Sequence, residues 1–208
     1  MKPSAILSCL ILAAALGGCA SAPQSQYYTL SSSEGQAPAP TAQAAFAISL
    51  SAVEVPPQVD RPQIVLSHEN GTQVTLLNES QWAAPLADEI RNALSRDLSR
   101  RLGALDIEPR AAPEDLPLWL LSVTVHRFES VYGHRALLEA TWRQAPRHGA
   151  QGEAAICRAA IQVPVEQGMP GLVAGHQRVL EELAGLMADK LSGRPLSAAT
   201  GIALKGCV

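Results

Sequence analysis

Residues 116–142 read LPLWLLSVTVHRFESVYGHRALLEATW, and the fold turns on what they form. In an extended chain Trp119, Leu121, Val123 and Val125 share one face, and Leu118, Leu120, Ser122 and Thr124 share the other. That is the period-two pattern of a strand, which predicts one long strand over 116–131. Gly133-His134 then turns the chain into a second apolar run over 136–142. After a polar loop over 143–152, a third strand is expected over 154–163, so this half of the chain reads as an antiparallel meander.

The segments on either side have a different period. Over 80–102 an apolar stripe at fourfold spacing, Leu86, Ile90, Leu94, Leu98 and Leu102, with Ala83, Ala87 and Ala93 beside it, predicts a helix that buries one face. Pro85 suits its first turn, Asp88 and Glu89 its positive end and Arg96, Arg100 and Arg101 its negative end, and Gly103 stops it. A second helix is expected over 172–191, with Val173, His176, Leu180, Leu183 and Met187 on one side and Gly193 and Pro195 ending it. Nearer the N-terminus, short strands are predicted at 27–30, 46–52, 63–66 and 73–77. Asn70-Gly71 is a hairpin turn between the last two. Strands, helix, strands and helix make an α+β chain, a mainly antiparallel sheet with two principal helices packed on one face.

Residues 1–18 carry one cation, Lys2, then an apolar run and Gly17-Gly18, the plan of a signal peptide whose apolar part is too short to span a bilayer. Leu16-Gly17-Gly18-Cys19 resembles the bacterial lipobox, in which the cysteine receives a diacylglycerol and further acyl chains such as palmitate. Several chains hold a protein durably where one does not. The expected organisation is a signal peptide over 1–18, a lipidated N-terminus and tether over 19–26, a body over 27–193 and a C-terminal extension over 194–208. Ala20 and Ser21 lack the aspartate that retains lipoproteins at the inner membrane, which places the anchor at the periplasmic face of the outer membrane.

The chain has 208 residues, 47% of them apolar, with a net charge of −3. It therefore has no basic footprint for nucleic acid. Four cysteines occur. Cys9 and Cys19 belong to leader and anchor, and two outcomes stand open for the others. Cys157 and Cys207 form a disulfide in an oxidising compartment, or a buried Cys157 and a frayed Cys207 never meet. His68, His126, His134, His148 and His176 are scattered, with no HExxH, no nucleophile elbow and no phosphate-cradling glycine loop. No catalytic residue, metal site or cofactor is assigned. His176, on the apolar side of the last helix, reads as a core histidine, and Arg100-Arg101 as a solvated helix end.

The segment Val53-Glu54-Val55-Pro56-Pro57-Gln58-Val59-Asp60-Arg61-Pro62-Gln63-Ile64-Val65, the helix start Gln81-Trp82-Ala83-Ala84-Pro85-Leu86 and the opening Tyr27-Tyr28-Thr29-Leu30 together resemble the ABC-type transport auxiliary lipoprotein family, the PqiC-like proteins. The resemblance implies a non-catalytic accessory or docking subunit of an MCE/ABC-type lipid transport system that maintains the envelope. Its partners would be a periplasmic MCE-domain protein and the associated inner-membrane transporter, with a homo-oligomer as a further possibility. Val55, Pro56, Pro57, Arg61, Trp82, Pro85 and Leu86 are candidate interface positions, because they set rigid or apolar groups on connections. The alternatives are a lipid-binding shuttle with its own enclosed apolar cavity and an envelope hydrolase with a convergent cleft of titratable groups.

Overall fold

The structure is a computed structural model that describes residues 24–31, 44–197 and 199–208. In chain order the strands are β1 (Gln26–Tyr28), β2 (Ala47–Leu50), β3 (Gln63–Ser67), β4 (Val74–Trp82), β5 (Leu118–Val131), β6 (Arg135–Arg147), β7 (Ala155–Pro164) and β8 (Ile202–Cys207). The helices are α1 (Leu86–Leu102), between β4 and β5, and α2 (Met169–Leu191), between β7 and β8. The eight strands form one sheet in the order β1-β4-β3-β5-β6-β7-β8, with β2 paired to β5.

The hairpin at the centre of the sheet is longer than the sequence suggests. Residues 143–147, expected as loop, continue β6 and pair with the start of β5, Gln144 opposite Leu121 and Arg147 opposite Leu118. Polar side chains hide this half of the strand, yet Gln144 is buried, because alternation sets it on the same face as Trp142. A register shift between Val125 and Arg127 in β5 lets two residues oppose one and restores Phe128 and Ser130 to the inner face.

The sheet is mixed, not uniformly antiparallel. β1 runs parallel to β4, β2 parallel to β5, and β3 meets β5 in parallel at Leu66 and Ser130. β2 is buried along its whole length, so its alternating sequence does not mark a half-exposed strand. The Asn70-Gly71 turn forms as expected, with Gly71 at φ +68° and Thr72 N–H donating to Asn70 Oδ1. This left-handed φ is what a glycine there permits.

Helix α1 starts at Leu86, six residues later than the sequence pattern suggests. Residues 80–82 end β4, and Pro85 holds φ −48° and ψ 134° immediately before the first turn. A proline also pushes the residue ahead of it out of helical conformation, so the stripe of α1 begins where the chain is first free to coil. Gly103, at φ +65°, closes the helix. Helix α2 starts earlier than expected because Pro170 fits its first turn. Both helices pack on the same face of the sheet, over Trp119, Leu121, Val123, Leu138, Ala140, Trp142, Ala159 and Ile161. Arg101 does not end free in solvent. Its guanidinium donates to the Glu181 carbonyl of α2, and Arg100 pairs with Asp97 at 2.9 Å.

The segment after α2 supplies the edge strand β8. Cys157 and Cys207 face each other across β7 and β8 with their Cα atoms 4.1 Å apart and are joined by a disulfide. Ile156 and Val208, one position further on, exchange two backbone hydrogen bonds. The cysteines thus occupy a non-hydrogen-bonded pair, where side chains approach most closely.

Candidate docking cleft

Three short connections meet where β1, β4 and the start of β3 come together. Residues 56–61 form a tight turn in which Pro56 C=O accepts the amides of Val59 and Asp60, and Val59 C=O accepts that of Arg61. Prolines favour such a turn by presetting φ. It drops Val59 into the core and leaves Asp60, Arg61 and Pro62 at the surface. The Trp82 amide donates to Pro62 C=O, and the Ala83 amide to Tyr28 C=O, so the exit of β4 is held from both sides. Ala83, Ala84 and Pro85 then lead into α1.

The result is a surface cleft of ≈350 Å³ lined by Tyr27, Asp60, Arg61, Pro62, Gln81, Trp82, Ala83, Ala84 and Pro85. Its lining is largely apolar, with one cation. The Arg61 Nε is buried and has no hydrogen-bond partner among the described residues. Tyr27 stands at the rim, 66% exposed. Its backbone groups point away from the sheet, because the neighbouring Tyr28 uses its carbonyl toward β4 and β1 is a terminal strand.

Trp82 forms the base of this cleft and belongs mainly to the core, at 4% exposure. Its ring meets Phe128 edge-on at 6.1 Å and His176 edge-on at 6.2 Å, and Phe128 stacks on His176 at 4.1 Å. His176 is fully buried, with Nε2 2.8 Å from Ser130 Oγ and Nδ1 unpaired among the described residues. Burial lowers its pKa to about 3, because charging it would forfeit hydration that this apolar cage does not replace. A histidine held neutral and shut from solvent here packs; it does not exchange protons with a substrate.

The sequence-predicted interface positions separate in space. Arg61, Trp82 and Pro85 meet in the cleft. Pro56 lines a different cleft of ≈250 Å³, with Val59, His68, His126, Arg127 and Arg135. Val55 is half-buried, packed against the core, and Pro57 is exposed. Leu86 is a core residue at 1% exposure, the first inward position of α1, so it supports the cleft without facing a partner.

One supporting residue was not legible as such. Glu89 reads as a helix-dipole acid, but it is buried and accepts hydrogen bonds from Thr29 Oγ1 and the Leu30 amide, both at 2.7 Å. It fastens the chain leaving β1 to the first turn of α1 and so fixes Tyr27 over the cleft. The signal for this was its place in an apolar stripe beside Ile90. Cys19 lies outside the described residues, as do 1–18 and most of the tether.

Among the described residues no group of three or more His, Cys, Asp and Glu side chains is placed to hold a metal. No helix among them is long and apolar enough to cross a membrane.

Residues 28–188 match the family model of the ABC-type transport auxiliary lipoprotein component. Two crystal structures share the fold. One, of an uncharacterised protein, superposes with a TM-score of 0.58 at 18% identity, covering 81% of this chain and 99% of the other. The second, of a Xanthomonas campestris protein assigned to the DUF330 family, gives 0.59 at 16% identity, covering 80% and 95%. A search of curated proteins returns no match. The matched region ends before β8, so the strand that carries Cys207 lies outside it.

Proposed function

Because this chain belongs to the ABC-type transport auxiliary lipoprotein family, we propose that it is a non-catalytic docking subunit of an MCE/ABC-type lipid transport system, held by lipid on Cys19 at the periplasmic face of the outer membrane. The observation that carries this reading is the position of the cleft. It abuts β1, the first strand of the body, and β1 begins only seven residues after Cys19. A leash of that length has a root-mean-square reach of roughly 15 Å. A surface beside its point of attachment therefore works close to the membrane, where a periplasmic partner arriving from the inner membrane would have to be received.

The remaining chemistry supports docking over catalysis or carriage. The one strongly perturbed histidine is sealed in the core. The space between the sheet and the helices is filled by Leu138 and Trp142 of β6, Leu94 and Leu98 of α1 and Leu180 of α2, where a shuttle would hold a lipid.

Co-purification tests the reading. The protein extracted in mild detergent from its own envelope should bring down a periplasmic MCE-domain protein, and Cys19→Ala should move the body from the membrane to the soluble fraction. Repeated isolation without any MCE-domain protein would refute the docking role. Continued membrane association of the alanine variant would refute the anchor.

A further inference from the structure

We propose that the cleft at Arg61 recognises a carboxylate side chain, flanked by apolar residues, on an extended segment of the partner protein. The inference rests on the docking reading and adds to it the chemistry and the place of contact.

Three features point to that occupant. The first is the unmatched cation: among the described residues the Arg61 Nε has no hydrogen-bond partner and none of the ion pairs includes this side chain. A guanidinium that lines a cleft without an ion pair of its own can take an incoming anion, and it suits a planar carboxylate because its forked donors match the two oxygens. The second is the wall. Pro62, Ala83, Ala84 and Pro85 are small or rigid and lose little side-chain entropy on being covered, and Tyr27 adds an exposed aromatic at the rim. Such a surface takes apolar groups on either side of the acid.

The third feature decides against a phospholipid headgroup as the source of the anion. A phosphate is best held by several donors, from Arg, Lys or a row of backbone amides. The cleft offers one guanidinium, and the exposed carboxylate of Asp60 stands next to it. Two charges of opposite sign at the rim leave a nearly neutral entrance, which a single carboxylate tolerates and an anionic membrane surface does not favour.

The experiment titrates the full-length protein, in zwitterionic detergent, with two capped tripeptides that differ only in charge: acetyl-Leu-Glu-Leu-amide and acetyl-Leu-Gln-Leu-amide. Binding is followed by NMR at the amides of Ala83 and Ala84 and at the Arg61 Nε–H. The acidic peptide is expected to shift these signals and to bind at least about tenfold more tightly than its neutral twin, the size of one charge-assisted hydrogen bond. In Arg61→Gln, with thermal unfolding checked to be unchanged, the two peptides should bind alike, and Arg61→Lys should restore part of the difference. Equal binding of both peptides to the native protein would overturn the proposal. So would displacement of the acidic peptide by monomeric short-chain phosphatidylglycerol, which would assign the cleft to a headgroup. If MCE co-purification persists while the peptides show no discrimination, the docking role stands and this site for it falls; loss of both would remove the docking role itself.

Discussion

Beneath the cleft, His176 ties part of the protein's acid stability to one side chain. Its folded pKa of about 3 lies below the value of 6.5 for an unperturbed imidazole. Below 6.5 the unfolded chain binds a proton that the folded chain refuses, so stability rises with pH through this window. The sign is therefore fixed: the contribution of His176 is full above about pH 7 and is lost as pH drops from 6.5 toward 3. The slope approaches about 1.4 kcal/mol per pH unit, the value for one proton. In His176→Leu the imidazole and its proton are gone. Urea unfolding between pH 6.5 and 5, where few carboxylates titrate, should give a pH slope smaller by close to one proton in the variant. The variant also leaves Ser130 Oγ without its partner, at a cost of about 1–3 kcal/mol at pH 7. Equal slopes in the two proteins would mean that the imidazole is not sealed from water.

At the level of elements, the close seating of α2 on the sheet depends on the missing side chain of Gly175. A Cβ at that position would fall against the Val165 Cγ1, well inside contact distance, and 3.2 Å from the Ala136 Cβ. Gly175→Ala should therefore push α2 off β6 and lower stability by about 1–3 kcal/mol, the usual cost of overpacking, which a denaturant midpoint will report. Gly185 makes the control: its Cβ would meet only the end of the Arg101 side chain, at 3.5 Å. There, alanine should be neutral or slightly stabilising through helix propensity.

The edge strand β8 depends differently on covalent chemistry. Only Ile202 and Leu204 are half-buried in it, the rest being exposed, so little apolar burial holds it to β7. The disulfide closes a loop of 50 residues, worth at most about 4 kcal/mol in the chain-entropy treatment. Cys207→Ser should lower the melting temperature and, by hydrogen exchange, deprotect the β7 amides that bond toward this edge, those of Ile156 and Gln162, while the β5–β6 hairpin keeps its protection. Loss of protection throughout the sheet would show instead that β8 is integral to one cooperative unit.

For the whole molecule, what the sequence disclosed follows the physics of each signal. Two helices and the chain order of the first seven strands were legible because period and caps agree over long runs, as in Leu86, Ile90, Leu94 and Leu98, whereas β8, in a segment read as an extension, was not. The start of α1 was not, because Trp82 also falls four residues before Leu86 and extends the stripe, whereas Pro85 cuts it by backbone geometry. The second half of β6 was hidden by Gln144, a polar residue at an inward position. Within the cleft, Arg61, Trp82 and Pro85 were legible as unusual residues on connections, but their convergence with Tyr27 depends on the parallel pairing of β1 with β4. No local pattern announces a pairing between segments more than 50 residues apart.

On the proposal that lipid on Cys19 anchors the protein, that pairing also sets how far the cleft can stand from the membrane, and the distance is open to experiment. Inserting about 21 Gly/Ser residues between Cys19 and Gln26 would lengthen the leash about fourfold and double its reach to roughly 30 Å. The body and its cleft would be unchanged, and membrane retention should be unchanged as well. The effective concentration of the cleft at the outer membrane, however, falls as about the −3/2 power of leash length, close to eightfold for this insertion. If the cleft receives its partner at the membrane surface, the yield of co-purified MCE-domain protein should fall by a similar factor. Binding of the acidic tripeptide, which needs no membrane, should stay as it was. An undiminished yield would mean that the partner finds the body at any height in the periplasm, and that the short leash serves retention alone.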